Sequence, residues 1–158
     1  MKNYVKAFLS IGLCLSFSCS FSQQNADTSK ANKEALATLN DYFAALKEND
    51  ISKAISYFSN TKDFLVFANG KAMNYEEFTA IARTTSSRIK KLLFRYDTIY
   101  IRNINENVVL ITGPLHETVT DNNDRQVDFD VTASVILLKR DGQWKITYVT
   151  EVVQLVSN

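Results

Sequence analysis

Cysteine is scarce in this chain, and its placement matters more than its number: both copies, Cys14 and Cys19, lie near the N-terminus. The opening stretch, "MKNYVKAFLSIGLCLSFSCSFSQQ", sets Lys2 and Lys6 ahead of an apolar run from Ala7 to Cys19 and closes on small and polar residues, the layout of a secretory signal. That run is too short to span a bilayer. Cleavage is expected after Ser22, because Ser20 and Ser22 put small side chains at the positions a signal peptidase reads. The alternative is a lipoprotein acylated on Cys19, although Ser16-Phe17-Ser18 lacks the usual aliphatic residue upstream. With both cysteines in the signal, the mature chain carries no thiol and no disulfide. Disulfide scaffolds, cysteine nucleophiles and thiolate-held zinc are excluded together.

Other shortages narrow the field further. Removing Lys2 and Lys6 from the 18 basic residues leaves 16 against 17 acidic ones, a formal charge of −1. Such a chain has no electrostatic reason to favour nucleic acid or anionic lipid, and no stable membrane insertion is expected after processing. The lone histidine, His116, has no second imidazole or thiol to help it hold a metal, so neither metal nor cofactor is expected. Taking 22 residues from 158 leaves 136, enough for one domain with a real core.

Residues 23–32, "QQNADTSKAN", are polar and aperiodic and read as a flexible lead-in to a domain over 33–156. Leu36, Leu39, Phe43 and Leu46 then recur at three- and four-residue steps, predicting an amphipathic helix over about 29–48. Asp50 can cap a second short helix, "ISKAISYF". Asn69-Gly70 predicts a two-residue hairpin turn, since both positions tolerate positive φ. Asn74 and Glu77 have capping-box spacing, with Met73 and Phe78 placed as a hydrophobic staple, for a third helix burying Phe78, Ile81 and Ala82.

The remainder reads as four long strands, about 89–104, 107–120, 126–140 and 143–155, joined by the short polar turns "NINEN", "TDNNDR" and "RDGQ". Turns so short join antiparallel neighbours. Gly113-Pro114 is expected to mark a bulge that bends the sheet. The fold class is therefore α+β, three N-terminal helices packed in a strongly curved antiparallel sheet.

This element order, together with Gly142-x-Trp144-Lys145-Ile146, resembles the nuclear transport factor 2-like superfamily and its SnoaL-like bacterial branch over about residues 30–155. The resemblance implies a cone with a pocket at its open end, walled by alternate residues of the last strand. Many relatives carry histidines where this chain has Tyr148 and Thr150, which puts the activities using those histidines in doubt. Tyr42 on the first helix and Asp63 before the first strand invite comparison with steroid isomerases of the same superfamily, which use a tyrosine and a carboxylate. The bland readings are favoured, Tyr42 as part of an ordinary amphipathic helix and Asp63 as a turn residue.

Candidate chemistry is drawn from the polar residues present. His116 could act as an acid or base near neutral pH, or simply be a strand histidine bonded to a neighbour. Asp128 and Asp130 share one face of a strand, either as a carboxylate pair in a pocket or as a solvent face opposite Val127, Phe129 and Val131. Trp144, Tyr148, Thr150, Tyr42 and His116 are the candidate ligand-binding residues, and Tyr42, His116 and Asp130 the candidate catalytic ones. The function expected is an exported, periplasmic or secreted, pocket protein that binds a small, largely apolar molecule or a protein partner without chemistry. The alternative is a small lyase, isomerase or hydrolase. A homodimer is expected through an outer face of the first meander strand that carries Ile99 and Ile101.

Overall fold

The structure is a computed structural model that describes residues 30–96 and 98–156. The signal segment, both cysteines and the start of the lead-in fall outside the described residues. Three helices, α1 (Lys30–Lys47), α2 (Ile51–Ser56) and α3 (Tyr75–Ser86), pack into a curled seven-stranded sheet made of β1 (Leu65–Ala68), β2 (Lys71–Met73), β3 (Ile89–Tyr96), β4 (Tyr100–Asn105), β5 (Val108–Asp121), β6 (Gln126–Arg140) and β7 (Gln143–Leu155). Lys30–Asn32 already belong to α1 and Asn32 is buried, so the lead-in is shorter than its polar composition suggested.

Local chemistry explains most element boundaries. Asp50 caps α2 by accepting from the Lys53 backbone N–H at 2.9 Å. Asn74 and Glu77 form the reciprocal capping box of α3, at 3.0 and 3.1 Å. Asn69 and Gly70 both take positive φ in the β1–β2 turn, as Asp141 and Gly142 do between β6 and β7, which is what two-residue hairpins require.

The sheet runs β2-β1-β7-β6-β5-β3, with β4 also paired to β5. β3 to β7 form the antiparallel meander, while β1 joins β7 in parallel, so the sheet is mixed. Two details differ from the sequence reading, and both bear on function.

First, the long strand expected over 89–104 is broken into β3 and β4, which pair successive parts of β5. The register of β5 on β6 is unbroken from Val108 to Thr120, so Gly113-Pro114 carries no bulge of its own. It faces the gap between β3 and β4 instead. A Cβ on Gly113 would lie 2.4 Å from the Thr98 carbonyl oxygen, so the absent side chain admits the crossing backbone. Pro114 sits where neither β3 nor β4 offers it a ladder partner.

Second, the bulge lies in β7. Ile136 pairs with Tyr148 but Leu137 pairs with Ile146, leaving Thr147 as the extra residue. Before it, Trp144 and Ile146 point into the core; after it, Val149 and Glu151 do. One inserted residue exchanges the two faces of the strand.

The core gathers Ala35, Leu39, Phe58, Phe64, Val66, Val109, Ile111, Leu137, Trp144 and Ile146. Phe58 stands edge-on to Tyr42 and Phe64, at 5.1 and 5.7 Å between ring centroids. Ile99 and Ile101 pack against this core and do not stand on the outer face, where Tyr100 and Ile104 are exposed instead. No residue of α3 is fully buried, and Ile81 is 46% exposed, because the inner side of that helix borders a cavity.

Candidate functional site

Curling of the sheet around the helices leaves a pocket of about 350 Å³, within the range of small-molecule sites. Its walls come from Leu39, Tyr42, Phe43 and Leu46 on α1, Ala54, Ile55 and Phe58 on and after α2, Phe78 and Ala82 on α3, and Leu115, Val131, Val135, Ile146 and Val149 on the sheet. These are the positions that amphipathic periodicity and strand alternation turn inward.

The acidic and phenolic groups in this lining are Tyr42, Glu117 and Glu151; Lys47, Asn49, Thr85, Ser86, Lys90 and Lys91 complete its polar part. Burial pushes both carboxyls above the usual carboxylate range, and for Glu117 the charge of Glu151 adds to the effect. The Tyr42 hydroxyl is pushed well above the ordinary tyrosine value, first by burial and then by the charges of Glu151 and Glu117. Each of the three groups therefore favours its protonated form more than it would in water. Together they make a proton-holding set in a mainly hydrophobic cavity.

Of the expected site residues, only Tyr42 lines this pocket. Tyr148 and Thr150 come after the Thr147 bulge and pair with Ile136 and Ser134 on the outer face, so the last strand presents Val149 and Glu151 in their place. Trp144 is 7% exposed and belongs to the core at the other end of the cone. Its indole N–H donates to Glu34 Oε2 at 3.0 Å, and Lys139 Nζ reaches the same oxygen at 2.6 Å. Those two donors hold the Glu34 carboxyl down to about 2. The indole is satisfied within the protein and has no need of a ligand.

His116 and the two aspartates also lie outside the cavity. His116 Nδ1 is 2.9 Å from Asp130 Oδ1, and the Thr118 hydroxyl donates to Asp128 Oδ1 at 2.6 Å, all on the outer face of β5 and β6. The solvent-face alternative for Asp128 and Asp130 is the one realised. Asp63 meets Arg140 Nη2 at 3.3 Å on the surface and is remote from Tyr42 in role. Among the described residues, no group of three His, Cys, Asp or Glu is placed to hold a metal, and no helix is long and apolar enough to cross a membrane.

Sequence reasoning missed Glu117 and Glu151. Glu117 had a signal: it alternates with Leu115 and Val119, a carboxylate in an apolar register. Glu151 likewise stands between Val149 and Val153, but an unbulged strand running from Trp144 would turn it outward.

A family model for the SnoaL-like domain matches residues 35–151. Solved structures agree in fold at low sequence identity. A nuclear transport factor 2-like superfamily protein from Salmonella enterica serovar Typhimurium is 14% identical, with TM-score 0.68 over 83% of this chain and 94% of that one. A ketosteroid isomerase-like protein from Erwinia carotovora atroseptica is 12% identical, with TM-score 0.66 over 82% and 99%. A conserved protein from Planctomyces limnophilus is 18% identical, with TM-score 0.68 over 81% and 100%. At these identities the likeness shows the fold alone. No curated protein matches the chain.

Proposed function

We propose a function from one settled premise: the chain belongs to the SnoaL-like domain family. Its pocket binds a small, largely apolar molecule, to which Tyr42, Glu117 and Glu151 offer hydrogen-bonding groups within the wall. The observation that supports this is an open, mainly apolar cavity whose wall includes Tyr42, Glu117 and Glu151. The test is displacement of a fluorescent apolar probe, read together with a Phe58→Trp reporter in the wall. Displaceable binding that is lost on Leu39→Trp, which fills the cavity, supports the reading. A probe that binds the filled variant equally well sinks it.

A second reading has its own support. Two carboxyls and a tyrosine with raised pKa values inside a hydrophobic cavity are the equipment of proton transfer, as in isomerases and lyases. In that reading Glu151 or Glu117 takes a proton and Tyr42 donates a hydrogen bond to the developing oxyanion. A turnover that survives in the Glu117→Gln/Glu151→Gln double variant would dismiss it.

Export and assembly complete the proposal. The N-terminal signal reading supports an exported protein beginning at Gln23, which mass analysis of the exported chain decides; a lipid on Cys19 would select the alternative. The homodimer is carried forward on the outer face that bears Tyr100 and Ile104, since Ile99 and Ile101 point inward. Light scattering at the monomer mass at micromolar concentration would count against it.

A further inference from the structure

The mouth of the pocket differs in charge from its interior. It opens between the C-terminal ends of α1 and α3 and the start of β3, where Lys47, Lys90 and Lys91 stand beside the exposed apolar lip of Ile81. A second, more open concavity shares Thr85, Ile89 and Glu117 with the pocket and adds Arg88. Three lysines thus stand at the opening, with Arg88 in the concavity beside it, in a chain of almost no net charge.

The carboxylates of the neighbourhood neutralise that set only at Lys90. Asp124 pairs with Lys90, Asp121 with Arg125 and Glu48 with Lys53, and Asp50 is engaged as the α2 cap. Lys47, Arg88 and Lys91 have no carboxylate partner among the described residues. A cationic rim over an apolar cavity fits one shape of ligand: a hydrophobic body that enters, and a negative group that stays at the water boundary where the lysines can reach it.

We propose that the mouth lysines select an anionic amphiphile, whose apolar tail fills the pocket and whose carboxylate or similar anionic head rests among Lys47, Lys90 and Lys91. This rests on the pocket reading above and adds to it the class of ligand. The raised pKa of Glu117 is in keeping, since a carboxyl that holds its proton does not repel such a head.

The experiment compares three probes of one tail length, decanoate, 1-decanol and decylamine, by calorimetry against the purified chain. Decanoate should bind about tenfold tighter than decanol, as two or three partly desolvated ion pairs each worth a factor of a few would give. That advantage should shrink as salt rises from about 20 to about 500 mM, because screening weakens exposed pairs. The Lys47→Glu/Lys91→Glu variant should reduce the decanoate-to-decanol ratio to about one or below. Both positions are exposed, and a milder Lys47→Gln/Lys91→Gln variant, which should lower the ratio part of the way, serves if the reversal disturbs folding. Equal binding of decanoate and decanol, or tightest binding of decylamine, overturns the anionic head and leaves the pocket standing. Binding of none of the three overturns both.

Discussion

The two ends of β7 carry the same kind of chemistry to opposite results. At the closed end, beside Trp144, the Glu34 carboxylate receives the indole N–H and the Lys139 ammonium and is held down to about 2. At the open end, Glu151 and its neighbour Glu117 sit in the apolar pocket, and burial drives both the other way. A carboxyl given donors is held charged and cements the fold, whereas a carboxyl given only hydrophobic walls stays poised to take or yield a proton. The Thr147 bulge stands between the two ends and decides which side of the strand each presents.

The largest effect that would test this contrast is at the closed end. Trp144 is 7% exposed, packs in the core and closes the Glu34–Lys139 contact. Trp144→Ala should cost about 3–5 kcal/mol of stability, measured by denaturant unfolding. A loss under about 1 kcal/mol would mean that the closed end does not anchor the fold.

Next in size is Gly113→Ala. The new methyl would meet the Thr98 backbone carbonyl oxygen, and backbone between two paired strands cannot swing aside as the end of a flexible side chain can. The expected cost is about 1–3 kcal/mol, as for overpacking. An unchanged melting temperature would show that the crossing is loose.

A pH titration separates the two carboxyl environments. Glu117 and Glu151 bind protons more tightly folded than unfolded, so the stability they contribute is full below the ordinary carboxylate pKa and is lost as pH rises through their raised values. Glu117→Gln/Glu151→Gln should therefore melt above the parent at pH 7, and the gap should close near about pH 4. Glu34 runs in the opposite sense. Its contribution is present above 4.5 and lost as pH falls toward about 2, so Glu34→Gln should melt below the parent at pH 7 and converge with it in acid. Parallel melting curves for the two variants would erase the comparison.

How much of this was legible follows from where the information is local. The Asp50 cap, the Asn74–Glu77 box and the Asn69-Gly70 and Asp141-Gly142 turns depend on residues within a few positions of one another, and the sequence states them. The resemblance to the nuclear transport factor 2-like superfamily added the cone and its pocket. The wall of that pocket was misread because the Thr147 bulge is a pairing between β6 and β7 that no pattern within β7 reveals. The break between β3 and β4 was missed for the same reason: Gly113 and Pro114 mark it from the neighbouring strand, and their own strand stays regular. Tyr42 was singled out through the resemblance to steroid isomerases, and the helical step that turns Leu39, Phe43 and Leu46 inward sets it on the pocket wall as well.

The smallest expected effect is the most direct test of the bulge. Read without it, β7 turns Tyr148 into the cavity, and removing its hydroxyl would weaken a polar-tipped ligand by the worth of a hydrogen bond, about tenfold. With it, Tyr148 pairs with Ile136 and Leu65 across the outer face, partly exposed, and its hydroxyl has no bearing on the pocket. Tyr148→Phe should then change stability by no more than about 0.5 kcal/mol, as for a surface site. It should leave the affinity of decanol within error, while Tyr42→Phe, whose hydroxyl faces the cavity, changes the affinity of an alcohol. Calorimetry on both variants with the same alcohol reads the register of the strand without a further structure. A tenfold loss on Tyr148→Phe with none on Tyr42→Phe would place the bulge elsewhere and return the inner wall to Tyr148 and Thr150.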